Sequence, residues 1–283
     1  MNIQKIARLE FNSRFLQYIL GNIYAERKFY KVFFGKLKGQ KLYYQRDINY
    51  HAILGLWERD SIHTLTKLFR SYGLDQKEIV VADVGANIGY YSLFFSRYLH
   101  HDTKIFAFEP SVSIYDVLRK NINGNDIYNV KTLEMACADK TGEVEFYVGG
   151  HHHQSSVIAE WANNENVGRK MKVRSTTLDD FFCRDKNSTL PDLIKMDIEG
   201  GAVYALKGCE KCITEKRPFI LIESHTPEED GAISEVLMKH DYEAFRIDNK
   251  KWVEHKDRNY RDKQGVWGTM LLIPSEKKDK FVA

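Results

Sequence analysis

Residues 80–93 read VVADVGANIGYYSL: an apolar run carrying Asp83, then Gly85 and Gly89 on either side of Asn87, then a helix-like stretch. Glycines at the end of a strand permit positive φ and close approach of the backbone, and the helix that follows offers unpaired N–H groups to an anion. The dinucleotide template G-x-G-x-x-G, started at Gly85, finds Asn87 and Tyr90 where its second and third glycines belong. The turn is therefore expected to hold something other than a pyrophosphate. Asp83 points the same way, because a carboxylate repels a pyrophosphate and accepts a hydrogen bond from an ammonium group. Glu109 follows Gly85 by 24 positions, at the end of a second apolar run. An acid there can accept from both hydroxyls of a ribose. An amino acid joined to a nucleoside meets both demands, and S-adenosylmethionine is such a molecule.

Two further clusters can move a proton. In KMDIEGG, strand alternation sets Lys195 and Asp197 on one face, with Met196 and Ile198 on the other. Asp197 can take a proton directly, and Lys195 can lower the pKa of a neighbouring acid or hold an acceptor oxygen. Glu199 precedes Gly200 and Gly201, at a helix start where the dipole favours a carboxylate, so it is either a cap or a functional group. In IESH, Glu223 and His225 share a face. A neutral imidazole is a good general base near pH 7, and His225 can alternatively orient substrate. Asp197 and Glu223 also stand where a magnesium ion would acidify a hydroxyl. Lys195 beside the ion would lower its affinity, so magnesium is not favoured and no metal site is assigned. Cys209 and Cys212 form a C-x-x-C without a second pair, and the plainer reading puts both in a helix. His151, His152 and His153 read as an exposed loop.

The elements that must carry these groups alternate. Strands are expected near 79–84, 104–109, 130–135, 191–197 and 218–223, with helices after Gly89 and around 111–123, 201–213 and 228–240. Such alternation predicts a Rossmann-like, doubly wound α/β domain with a mainly parallel sheet covered on both faces. EVEFYV and MKVRSTTL read as extra strands, and WVEHK and GTMLLIP as the C-terminal edge. Helices are expected over 5–20 and over DSIHTLTKLFRSYG, the latter capped by Asp60 or Ser61 and stopped by Gly73.

Taken together, DVGANIGYYSL, FAFEPS, ACADKTGEVEFYV, TTLDDF, LIKMDIEGGAVYALKG and ILIESH resemble the successive blocks of the FkbM-type S-adenosylmethionine-dependent methyltransferases. The resemblance runs over roughly residues 52–274 and takes in GLWE upstream and MLLIP near the end. It implies a methyltransferase domain over 51–283, and O-methylation of hydroxyls on sugars, glycans or glycosylated metabolites. By the same resemblance Asp83, Gly85, Asn87 and Gly89 hold the methionine end of the cofactor, with Ala86 and Tyr90 in the same turn. Glu109 holds the ribose, Pro110 and Ser111 line the adenosine side, and Ala136 and Cys137, followed by Ala138 and Asp139, meet adenine. The family often has Gly or Leu where Cys137 stands. Lys195, Asp197, Glu199, Glu223 and His225 are the catalytic candidates. Ser155 and Ser156 match a small polar pair near the family's substrate entrance, and Trp161 and the histidines can face a sugar ring. The rival readings are an NAD-dependent sugar-nucleotide enzyme, against which Asn87 speaks, and a noncatalytic glycan-binding module, against which five charged groups in two short clusters speak.

Composition is that of a soluble globular chain: 283 residues, 43% hydrophobic, 29% charged, net charge +3. No apolar stretch is long enough to span a bilayer and the first residues lack the pattern of a secretory signal, so a cytoplasmic location is expected. The charge is uneven. Residues 1–46 hold ten Lys and Arg against two Glu. This basic, aromatic-rich extension, taken as residues 1–50, suits an anionic lipid surface, a nucleic acid or an acidic glycan. The plainer reading is a cap that packs its rings on the main domain. No nucleic-acid partner is expected for the domain itself, whose acceptor is a small molecule or a glycan.

Overall fold

The computed structural model describes residues 25–45, 50–147, 170–184, 189–248, 250–253 and 266–281. The helix expected over 5–20 and the loop carrying His151–His153, Ser155, Ser156 and Trp161 lie outside the described residues. In chain order the elements begin with β1 (Phe29–Lys31), β2 (Lys41–Tyr43), α1 (Tyr50–Leu54), α2 (Arg59–Tyr72), β3 (Val80–Val84), α3 (Tyr90–Tyr98), β4 (Lys104–Phe108), α4 (Val112–Gly124), β5 (Val130–Leu133) and β6 (Ala136–Cys137). They continue with β7 (Gly142–Tyr147), β8 (Lys170–Thr176), α5 (Leu178–Phe182), β9 (Leu193–Met196), α6 (Ala202–Lys207), a π-turn (Cys212–Lys216), β10 (Phe219–Ser224), α7 (Pro227–Lys239), β11 (Tyr242–Arg246), β12 (Lys251–Val253) and β13 (Gly268–Pro274).

Eight strands form the central sheet in the order β12-β11-β13-β10-β9-β3-β4-β5. The five from β10 to β5 are parallel, as the alternation of strands and helices requires. Their residues divide by parity between two cores. Val81, Ile105, Leu193 and Leu221 pack on one face with α2, α3 and α4, while Val80, Ala82, Ile194 and Ile220 pack on the other with α6 and α7. Each fully buried aliphatic or Phe side chain contributes about 1.5–3 kcal/mol. This is why the strands read as continuous apolar runs rather than alternating ones.

Several expectations need correction. β13 does not close the edge: it inserts antiparallel between β10 and β11, and the edge belongs to β12. EVEFYV and MKVRSTTL are strands, but they join β6 in a separate three-stranded sheet. The helix expected over 201–213 stops at Lys207, with Gly208 as its C-cap residue, where a Cβ would stand 2.1 Å from the Ala138 carbonyl oxygen. The chain then makes the π-turn, with Cys209 and Cys212 fully buried in the second core. α2 stops at Gly73, with φ 62°, as its sequence predicts. Its N-cap position is Glu58, however, and the Ser61 hydroxyl is spent on the Glu58 carboxylate at 3.1 Å.

The basic extension carries structure that its residue types do not announce. β1 and β2 pair antiparallel, and amide side chains from the last turn of α4 and the residue after it complete the outer edge of β2. Asn121 Oδ1 accepts from the Tyr43 N–H at 2.6 Å and Asn125 Oδ1 from the Lys41 N–H at 2.7 Å. Asn121 Nδ2 also donates to the Ile88 carbonyl in the glycine turn, so one buried amide ties the hairpin to that turn.

Candidate active site

Counting outward from β3, strand order runs one way to β4 and β5 and the other way to β9 and β10. A ligand crevice is expected at that reversal, beyond the carboxyl ends of the strands. A cavity of about 280 Å³ lies there. Its walls are the glycine turn (Gly85, Asn87), the end of β4 (Phe108 to Ser111), Ile114, the Met135–Cys137 segment, Phe146, the loop after β9 (Asp197–Glu199), Glu223, His225, and Trp57 with Glu58 ahead of α2.

The glycines serve the chain as much as any ligand. Gly85 has φ 70°, and a Cβ on it would stand 2.0 Å from the Asp197 carbonyl oxygen. Only glycine lets β3 and β9 release their loops this close together. Gly89, at φ 86°, meets Leu118 of α4 in the same way. Between them Asn87 takes the left-handed conformation, φ 51°, and its N–H donates to Glu109 Oε2 at 3.0 Å. Glu109 Oε1 accepts from the Ser111 N–H at 2.9 Å. The carboxylate is thus fixed in orientation before anything binds. Burial pushes its pKa to about 7, against those two hydrogen bonds.

Asp83 is not at the surface of the cavity. It is completely buried, accepts from Ser92 Oγ at 2.6 Å and has Lys195 Nζ 3.6 Å away. The ammonium it faces belongs to the protein, because Asp83 and Lys195 are register partners on adjacent parallel strands. Lys195 itself donates to the Gly85 carbonyl at 2.7 Å, lies over the Tyr91 ring and reaches within 3.9 Å of Asp197. Burial opposes its charge, yet Asp197, Asp83, Glu58 and Glu223 together hold its pKa above the usual value. It supports the turn from below and does not line the cavity. Ala86, Gly89 and Tyr90 also stand behind the wall, with Tyr90 packed against Trp57 at 5.6 Å between ring centroids. Ala138 and Asp139 line a separate surface hollow, so the adenosine side is left to Pro110, Ser111, Ala136 and Cys137.

The acid–base cluster does come together. His225 Nε2 is 3.6 Å from Asp197 Oδ1, 3.6 Å from Glu199 Oε2 and 3.8 Å from Glu223 Oε1. Burial disfavours a charge on this imidazole, but Glu229 and then Asp197, Glu199 and Glu223 outweigh it and raise its pKa to about 10. His225 is therefore an imidazolium near neutral pH, and the neutral-base reading is corrected. Burial raises Glu199 to about 7 and Glu223 to about 8. Asp197, Glu223 and His225 offer ligand atoms within 4.8 Å of one another, a spacing that could hold a metal ion.

Glu199 does not cap α6. It adopts φ 45° and turns into the cavity, while the Ala202 N–H is taken by Glu229 Oε1 at 3.0 Å. Glu229 is fully buried, accepts the His225 N–H with Oε2 at 2.7 Å and lies 3.6 Å from His225 Nδ1. The sequence carries a signal for it: T-P-E-E, from Thr226 to Glu229, has the spacing of a capping box. Thr226 Oγ1 does accept the Glu229 N–H at 3.1 Å, and the Glu229 carboxylate reaches back to the residue before the cap. Glu58 is the other group that spacing did not assign. It sits inside GLWE, has φ 53°, and accepts from Tyr91 at 2.8 Å as well as from Ser61.

Residues 83–251 match the family described as the methyltransferase FkbM domain. The chain is 28% identical over 173 residues to methyltransferase sdnD of Sordaria araneosa, covering 52% of this chain and 66% of that protein. It is 22% identical over 162 residues to the hexuronic acid methyltransferase AglP of Haloferax volcanii, covering 57% and 62%. The chain thus spans slightly less than two thirds of these two relatives. A methyltransferase FkbM structure from Methylobacillus flagellatus KT aligns with a TM-score of 0.45 at 18% identity, over 69% of this chain and 43% of that one.

Proposed function

We propose that this chain, which belongs to the FkbM methyltransferase family, is an S-adenosylmethionine-dependent O-methyltransferase acting on a hydroxyl of a sugar, glycan or glycosylated metabolite. The observation that carries this reading is the two-ended chemistry of one cavity. At one end Glu109 is held by two backbone N–H groups and keeps lone pairs for hydroxyl donors. At the other end Asp197, Glu199, Glu223 and His225 converge. Beside Glu109, Phe108, Ile114, Met135, Ala136 and Cys137 supply an apolar slot for a flat base. These residues fit the cofactor: Glu109 for the ribose, Gly85 and Asn87 for the amino-acid end, Pro110 and Ser111 for the adenosine side.

When bound, S-adenosylmethionine supplies a methyl group already activated by its sulfonium. What the chain must add is a positioned acceptor oxygen and a destination for its proton, since an alcohol loses that proton only at a pKa of roughly 16. Asp197, between Lys195 and His225, takes the proton. The His225 imidazolium faces the same space, where it stabilises the oxygen as negative charge grows on it. Glu199 and Glu223, with pKa values lifted to about 7 and 8, pass the proton onward. Glu58 closes the wall on the helical side.

The acceptor class is supported by the same groups: Glu58, Asp197, Glu199 and Glu223 line the cavity as hydrogen-bond partners for the hydroxyls of a carbohydrate. A carbohydrate acceptor is supported by a relative named for hexuronic acid methylation. The test is calorimetry with S-adenosylmethionine and S-adenosylhomocysteine, followed by a screen of neutral, amino and acidic glycosides with product mass read out. Absence of binding heat for both nucleosides on folded protein would overturn the reading.

A further inference from the structure

We propose that the turn between β1 and β2 docks on an anionic phospholipid bilayer. Phe33 and Phe34 stand side by side on that turn, 48% and 55% exposed, with ring centroids 6.5 Å apart. Single exposed apolar residues are ordinary, whereas a neighbouring pair of phenylalanines presented to solvent marks a contact surface.

The rings are held outward by the backbone beneath them. Val32 and Leu37, on either side of the pair, are buried in the main core. The Val32 N–H donates to the Gln40 carbonyl at 2.7 Å, the Gly39 N–H to the Val32 carbonyl at 2.9 Å, and the Phe33 N–H to the Ile53 carbonyl at 3.0 Å. Gly35 and Gly55, both left-handed, pack against each other's segments. A Cβ on Gly35 would stand 2.6 Å from the Gly55 oxygen, and one on Gly55 would stand 2.0 Å from the Phe34 oxygen. Such a clamp leaves the two rings no route into the core.

Charge identifies the partner. From Arg27 to Gln45 the chain has six Lys or Arg and no acid. Of these, Arg27, Lys28, Lys31, Lys38 and Lys41 are exposed. Aromatic rings on a turn flanked by exposed Lys31, Lys38 and Lys41 match the two layers of an acidic membrane surface, headgroup charge outside and acyl chains beneath. A nucleic acid would instead call for cations tracking along a groove. Among the described residues no helix is long and apolar enough to cross a membrane. Gly55 lies two residues before Trp57, a wall of the cavity. The docking itself does not rest on the proposed activity.

The experiment is sedimentation of the full chain with vesicles of phosphatidylcholine alone or with about one third phosphatidylserine. Binding to the acidic vesicles alone is expected, weakening as salt rises. Phe33→Ser with Phe34→Ser should reduce it at least tenfold, and so should Lys31→Glu with Lys38→Glu. Both double variants change exposed side chains, so their melting temperatures should match the wild type. The proposal is overturned if acidic vesicles bind no protein, if the phenylalanine variant binds them as well as the wild type, or if a short RNA binds both double variants and the wild type alike while vesicles bind none.

Discussion

Replacing Glu109 by Gln separates what this carboxylate does for a ligand from what it does for the fold. Its rise from 4.5 to about 7 corresponds to roughly 3 kcal/mol of disfavoured ionisation in the ligand-free cavity. The amide removes that penalty. It also turns an NH2 donor toward the N–H of Asn87 or Ser111, leaving one buried donor unpaired at about 1–3 kcal/mol. The two effects oppose each other, so thermal stability near pH 8 should change little. Binding should not be spared, because hydrogen bonds to a charged acceptor are worth about 1.5–3 kcal/mol. S-adenosylhomocysteine should bind roughly ten- to a hundredfold more weakly. A second signature is the pH profile. If the ribose needs the ionised form and the pKa is about 7, the competent fraction rises from roughly a tenth at pH 6 to nine tenths at pH 8, and wild-type affinity tightens almost tenfold. The Gln variant should lose that slope. Calorimetry at pH 6, 7 and 8 measures both. A variant that binds within twofold of wild type at pH 8, or keeps the wild-type slope, refutes the ribose assignment.

Asp197→Asn should leave S-adenosylhomocysteine affinity within about threefold and lower turnover of an accepted glycoside by about 10²–10⁴-fold; normal methyl transfer, read by product mass, would remove Asp197 from the chemistry. Gly85→Ala should lower stability by about 2–4 kcal/mol, since left-handed backbone and a 2.0 Å approach to the Asp197 carbonyl both penalise a Cβ; an unchanged melt would mean the two loops are less close than described. The ligand-free protein should melt at progressively lower temperature as pH rises from about 5 to 10. Glu109, Glu199 and Glu223 have raised pKa values, so their contribution is complete below 4.5 and lost as pH passes 7 to 8; that of His225 is complete below 6.5 and lost through about 10. A flat or rising profile between pH 6 and 9 contradicts this electrostatic account. Excess chelator should leave turnover intact, and a loss restored by magnesium would move Asp197 and Glu223 into a metal site.

The parallel half of the sheet was legible because its strands are buried on both faces and read as apolar runs: IVVADV, KIFAFE and PFILIE need no tertiary context to be recognised. β1, β2 and β11 were not. β1 and β2 are three residues each, and the outer edge of β2 is completed by Asn121 and Asn125, 78 and 84 residues away in sequence. β11 ends in Arg246, which is buried yet bonded to Asp248, so its pattern breaks where the strand is still paired. At the site, residue types and strand position brought Asp197, Glu199, Glu223 and His225 to one space, as expected. Direction was harder to read. Whether Asp83 faces a ligand or Lys195 depends on sheet register, and whether His225 is neutral depends on Glu229, a residue of the helix beyond it.

The charges of the cavity also say which part of the proposed reaction each can help. A sulfonium is positive before transfer and neutral after it, so carboxylates beside it favour the bound reactant over the transition state and contribute affinity rather than rate. Rate must come from the other reacting atom, where negative charge appears on oxygen as its proton leaves. Among the described residues Lys195 and His225 carry positive charge there, and both are kept protonated by the same carboxylates that crowd the site. Their placements differ. Lys195 is bound to the Gly85 carbonyl and acts on Asp197 from 3.9 Å, whereas His225 lines the cavity and is braced from behind by Glu229. An acid-rich pocket that would otherwise retain its cationic reactant is thus given one exposed cation at the atom that changes charge. That arrangement makes the imidazolium, alongside Asp197 as the proton's acceptor, a group whose loss should act on the chemical step while sparing cofactor affinity.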